Sequence, residues 1–125
     1  MRKLEVLLLA VVLVFSGTQS AAAHAELVKS FPVANSTLTK APKYVQLEFG
    51  EALTTLNNKS ANSITVFDSK KRKIVTSKIL VKKGVARVEI SGPLSSGTFT
   101  VKYRVASADG HVLSDDYQFK LKLKG

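Results

Sequence analysis

The sequence contains no cysteine and no tryptophan, and its one methionine is Met1. Without thiols there is no disulfide to support the fold, even in an oxidising compartment, and no acceptor for a thioether-linked lipid. With no sulfur ligand beyond residue 1, a soft-metal site built on thiolate or thioether is excluded. So is a blue-copper electron-transfer centre, which needs a thiolate. The missing indole removes the strongest platform for stacking on sugars. Histidine is nearly absent too, with two in 125 residues. Acids are scarce: 9 Asp and Glu stand against 19 Lys and Arg, for a formal charge of +10.

Long apolar runs are missing everywhere except at the start. Arg2 and Lys3 precede LEVLLLAVVLVF, residues 4 to 15, which is apolar apart from Glu5. Small and polar residues follow, ending in Ala21, Ala22 and Ala23. A basic start, a short apolar stretch and an A-x-A exit describe a secretory signal peptide. The run is shorter than the ~20 apolar residues that span a bilayer. The expectation is cleavage after Ala23, a signal peptide over 1–23 and one domain over 24–125 beginning at His24. The product would be periplasmic or otherwise exported, and not an integral membrane protein. A domain of about 100 residues buries enough apolar surface to fold unaided.

Losing Arg2, Lys3 and Glu5 takes the formal charge from +10 to +9. Such a balance suits nucleic acid or anionic membrane. The lysines, however, alternate with apolar residues in KIVTSKILVKK (73–83) and FKLKLK (119–124). On strands that pattern turns charge toward solvent. Solvated strand faces are the preferred reading, with no nucleic-acid partner; weak attraction to anionic lipid stays open.

The mature segment keeps a period of two. Lys43–Phe49, Ser63–Phe67, Lys73–Val81, Val85–Ile90, Thr98–Val105 and Asp116–Leu123 all read as strands, and Ala25–Ser30 as a seventh. Lys82, Lys83 and Gly84 form a hairpin-like link. Turn signals sit at Phe31-Pro32 to Ser36, Ala41-Pro42, Asn57-Asn58, Asp68–Lys71 and Ser91–Gly97. No segment holds a helical period, although Leu53–Asn62 has room for one irregular turn. Short strands at this spacing predict an all-β, seven-stranded Greek-key sandwich, with an up-and-down barrel as the alternative.

Chemistry concentrates on few residues. Cleavage after Ala23 would give His24 a free α-amine beside its imidazole, two nitrogens able to close one chelate ring. The amine has a reference pKa of about 7.7 to 8.0, so it yields its proton to a metal more readily than lysine. Asp109 and His111 flank Gly110; a spacing of two puts both side chains on one side of an extended segment. Gly110 would permit close backbone approach. An amine, two imidazoles and a carboxylate form an N₃O set, which suits Cu(II), with Ni(II) and Zn(II) as competitors. Glu51 is either a weak ligand or partner or simply a polar strand end. Glu26 lies near the terminus without a case for ligation. Asp115 and Asp116 are read as solvated residues opening the last strand, and Ser107 as a turn residue bonding to backbone.

Three stretches carry a family resemblance. They are HAELVKSFPVANSTL from His24, APKYVQLEFGEAL from Ala41, and LSSGTFTVKYRVASADGHVLSDDYQFKL from Leu94. Together they resemble the CopC copper-resistance family across essentially all of 24–123, the last block being the most specific. The resemblance implies a seven-stranded, periplasmic Greek-key sandwich that is not an enzyme. It implies one Cu(II) per chain on His24, Asp109 and His111, and a role in sequestering copper or carrying it to a CopD-like inner-membrane importer. Two features depart from the family pattern. There is no Met-rich loop, which puts transfer between a Cu(I) and a Cu(II) site in doubt, and Val112 stands where proline is common. Two other readings compete. A histidine-brace copper monooxygenase would use similar nitrogens, but Asp109 would occupy a position that oxygen chemistry needs open. A metal-free, immunoglobulin-like interaction module would have no copper affinity.

Overall fold

The computed structural model describes residues 26–55 and 61–124. The expected signal peptide, the proposed cleavage point and His24 lie outside the described residues, as do Asn57 and Asn58.

Eight strands form among the described residues: β1 (Leu27–Phe31), β2 (Thr37–Leu38), β3 (Tyr44–Phe49), β4 (Ser63–Phe67), β5 (Leu80–Lys82), β6 (Val85–Glu89), β7 (Gly97–Ala106) and β8 (Val112–Leu121). They make two four-stranded sheets, ordered β1-β3-β6-β5 and β2-β8-β7-β4. The chain is therefore a β-sandwich. The barrel alternative fails because the ladders end within two separate sheets instead of closing into one.

The alternation read in the sequence produces this packing. In β3, Val45, Leu47 and Phe49 are buried while Tyr44, Gln46 and Glu48 are not. Ala86 and Val88 of β6, Ile64 and Val66 of β4, and Phe99, Val101, Tyr103 and Val105 of β7 repeat the pattern. The two inner faces meet around Leu47, Val66, Val101 and Phe119, all at 0 % exposure. Phe119 stacks on Phe99 at 5.3 Å, and Phe49 meets Tyr103 edge-on at 5.7 Å. Each such side chain is worth about 1.5–3 kcal/mol of burial, and no covalent link supplements it.

Three expectations change. The stretch from Lys73 to Val81 is not one strand. It bridges Phe67 at Lys73 and Ile90 at Thr76 before joining the ladder as β5. Crossing from one sheet to the other prevents it from keeping a single partner. β8 begins at Val112, four residues ahead of the expected Asp116. The early half was hidden because Asp115 pairs with the buried Tyr103 while itself remaining exposed, so a carboxylate sits where an apolar residue was expected. β2 is only two residues long and pairs parallel to β8, too short to carry a period. The middle of Leu53–Asn62, where room for an irregular turn was read, lies outside the described residues.

Strand direction gives the sandwich two ends. One gathers the start of β1, the end of β3, the β5–β6 hairpin and the β7–β8 turn. The other gathers the β1–β3, β4–β5 and β6–β7 connections and the C-terminal tail. At the first end Gly84 is required by space: a Cβ there would lie 2.8 Å from the Phe49 carbonyl and 3.0 Å from that of Glu51.

Replacing Phe119 with alanine should cost about 3–5 kcal/mol, read as a lower urea midpoint. Gly84→Ala should cost about 1–3 kcal/mol by the same measurement, because two backbone carbonyls must move.

Candidate metal centre

β7 carries the core outward until its last residues. Val105 and Ala106 are buried, and Ser107, just beyond the strand, is only 1 % exposed. The chain then reverses through Ala108, Asp109 and Gly110 and returns at Val112 as β8. Two backbone bonds close the reversal, Ser107 N donating to His111 O at 2.8 Å and Gly110 N to Ser107 O at 2.9 Å. Gly110 has φ +97°, a conformation costly for residues bearing a Cβ. Nothing lies within 4 Å of where its Cβ would be. Its part is to turn the chain, not to allow the close approach expected from sequence.

The turn brings Asp109 and His111 together. Asp109 Oδ1 accepts from His111 N at 3.1 Å and faces His111 Nδ1 at 2.9 Å. It also accepts a short hydrogen bond from the Ser107 hydroxyl. The pair meets across a tight reversal, so the extended-segment account of their spacing was wrong although the pairing was right. Both side chains are accessible, at 45 % for Asp109 and 60 % for His111. The Ser107 hydroxyl, then the His111 ring and its amide, hold the Asp109 carboxyl well below the usual carboxylate range. A neutral imidazole that donates Nδ1–H to this carboxylate keeps its lone pair on Nε2, the nitrogen suited to a metal. None of the three bonds to Asp109 uses Oδ2. The turn thus offers nitrogen and oxygen donors and no sulfur.

Among the described residues no three His, Asp or Glu side chains converge on a metal position. Neither Glu26 nor Glu51 therefore completes the pair, and the third expected ligand, His24, is outside the described residues. The backbone nevertheless ties the start of β1 to this turn through the segment after β3. Gly50 N donates to Glu26 O at 3.0 Å, and two residues on Ala108 N donates to Ala52 O at 2.9 Å. Leu53 bridges Ser107, and Thr54 N bonds to Ala106 O at 2.8 Å. Asn62 braces the same corner, accepting from Ala106 N at 2.9 Å and donating to Thr54 O at 2.8 Å.

Sequence reasoning missed Ser107 and Asn62. Ser107 was read as bonding backbone, whereas its hydroxyl serves Asp109; an S-x-D-x-H spacing was the available signal. Asn62 gave none, since its partners lie 8 and 44 residues away. Asp115 and Asp116 are exposed but sit within β8, not at its start.

Ser107→Ala should raise the Asp109 pKa toward the reference value of about 3.9, followed by NMR titration of the carboxyl carbon. A lowered carboxylate pKa stabilises the fold above the unfolded value and loses that contribution as pH falls through the folded one. The substitution should therefore move the acid loss of turn structure to higher pH.

Comparison with known proteins agrees with this geometry. The family profile described as the CopC domain matches residues 27–122. Protein YobA of Escherichia coli K12 is 29 % identical over 111 residues, covering 84 % of each chain. Copper resistance protein C of Escherichia coli is 32 % identical over 108 residues, covering 82 % of this chain and 85 % of that one. The crystal structure of CopC from Methylosinus trichosporium OB3b superposes with a TM-score of 0.70 at 28 % identity, over 82 % of this chain and 97 % of that one. With a profile match running from the first strand to the last and a shared fold, the chain belongs to the CopC family.

Proposed function

We propose that this protein is an exported Cu(II)-binding protein of copper resistance and homeostasis, holding one ion per chain on His24, Asp109 and His111. The observation that carries the reading is the Ser107–His111 turn. It pre-orients an imidazole with a carboxylate and is bonded, through Ala52 and Gly50, to the opening of β1. His24 stands two positions before Glu26, a reach of at most about 7 Å, so the reading requires the opening of β1 to bring it to the turn. Removal of residues 1–23 would then supply an amine and a second imidazole. Copper suits the set because nitrogen-rich tetragonal sites favour Cu(II), and no sulfur is present to draw Cu(I). A relative carrying the name copper resistance protein C supports the same metal.

Within this reading the protein sequesters Cu(II), or carries it to a membrane importer of CopD type, and performs no chemistry on it. The absence of any methionine beyond Met1 favours a single-site holder over a carrier that exchanges between Cu(II) and Cu(I) sites. Asp109, already ionised across the physiological range, would offer Oδ2 without a proton to displace, while Oδ1 keeps the His111 ring in place.

Titrating Cu(II) into protein with an authentic His24 terminus should reveal one tight site, and with reductant and oxygen little peroxide should form. His111→Ala should weaken binding by more than about a hundredfold, and one glycine inserted before His24 should weaken it sharply. Affinity should fall on acidification, because protons compete for the amine and both rings. Equal binding by the glycine-extended form would overturn the ligand set, and a flat titration would leave a metal-free interaction module.

A further inference from the structure

The basic charge read from composition is not spread over the strand faces. Of the sixteen Lys and Arg among the described residues, ten lie at the end of the sandwich opposite the Asp109–His111 turn. Two precede β3, four run consecutively from 70 to 73, Lys78 follows before β5, and three occupy the last turn of β8 and the tail. All ten are exposed. Three acids come near: Asp68 is engaged by Arg72 at 2.9 Å and Glu89 by Arg87 at 2.8 Å, and Asp116 lines a shallow recess with Lys71 and Lys102. The opposite end carries Glu26, Glu51 and Asp109 against Lys82 and Lys83.

The cationic end is built, not frayed. Asp68 Oδ1 accepts from Lys70 N at 2.8 Å and Arg72 N at 2.9 Å, which fixes the loop that displays the run. The tail is pinned where Leu123 N donates to Ser96 Oγ at 2.9 Å. Between this loop and the β6–β7 connection lies an open recess of about 550 Å³, lined by Lys70, Arg72, Lys73, Ser95 and Ser96 among others. Apolar side chains stand in the same region: Val33 is 57 % exposed, Val75 69 % and Leu123 40 %; Val28 and Val112 are equally exposed at the other end, so it is the charge that sets this end apart.

Cations interspersed with outward aliphatic residues are the surface of a protein that rests on a bilayer, the cations reaching headgroup phosphates and the aliphatics the acyl boundary. Phe31, 36 % exposed and 5.0 Å from Tyr44, stands at this end as well; aromatic rings sit at headgroup level in a bilayer, and the outward valines find there an apolar boundary that nucleic acid does not offer. We propose that this pole docks the exported protein onto anionic lipid. The ten residues of β7 separate the two ends by about 30 Å, several times the Debye length of about 8 Å, so the acids near the metal turn do not oppose docking. Docked this way, the Asp109–His111 turn faces away from the bilayer, open to ions arriving from the surrounding fluid.

The test is co-sedimentation of the exported protein with vesicles of phosphatidylcholine alone or with 30 % phosphatidylglycerol, in metal-free buffer. Copper plays no part in the assay, so its failure and that of the copper reading are distinguishable. Binding should require phosphatidylglycerol and be lost in 0.5 M NaCl. Lys70→Glu, Lys71→Glu and Lys73→Glu combined should weaken it about a hundredfold. Val75→Ser should weaken it less and without changing the salt dependence. Lys82→Glu with Lys83→Glu, at the other end, should leave it unchanged, each variant first being shown to keep the parent urea midpoint. Equal binding to phosphatidylcholine, equal losses from reversal at the two ends, or retention on soluble heparin without vesicle binding would each overturn the proposal.

Discussion

The burial of β7 through to Ser107 is the constraint on which the rest depends. Val101, Tyr103 and Val105 face the opposite sheet, and the burial continues through Ala106 into the first residue of the turn. A serine sealed at that point cannot turn its hydroxyl to water, so the hydroxyl is committed to a nearby acceptor. That acceptor is Asp109, and its carboxylate in turn engages the backbone and ring of His111. The accessible pair is therefore ordered from beneath by the core as well as by its own contacts. The arrangement resembles the outer-shell support that fixes ligand orientation at metal sites, and under the proposed function it would be in place before a metal binds.

The segment after β3 extends this order sideways. Gly50, Ala52, Leu53 and Thr54 bond in turn to the opening of β1, the metal turn and the β5–β6 hairpin, and Gly84 is without a side chain so that Phe49 and Glu51 can approach. One irregular strand end thereby gathers three pieces of chain distant in sequence. A fold without disulfides needs such backbone bonding at its open ends, where side chains are too exposed to contribute much burial.

The two ends differ in what they present. One offers a carboxylate, an imidazole and little net charge; the other a dense cationic surface. A single sandwich can carry both because ten-residue strands hold them farther apart than salt allows their charges to interact. Under the two proposals, capture of a cation and attraction to an anionic surface would not compete.

Composition and period determined much by themselves. The absence of sulfur ruled out whole classes of metal chemistry. Alternation in 43–49, 63–67 and 98–105 located three strands and the inward face of each, because a period of two leaves only one way to bury the apolar set. That Asp109 and His111 stand together was legible, but not the tight reversal that joins them. What sequence could not decide was anything that depends on partners far along the chain. The crossing of 73–79 between sheets, the inward register of Asp115 and the bracing by Asn62 come from the neighbours each segment meets. The lysines show the limit best: their alternation was real, but which end of the molecule they reach follows from strand direction and connection. Only the tertiary structure fixes that, because charge adds up in space and not along the sequence.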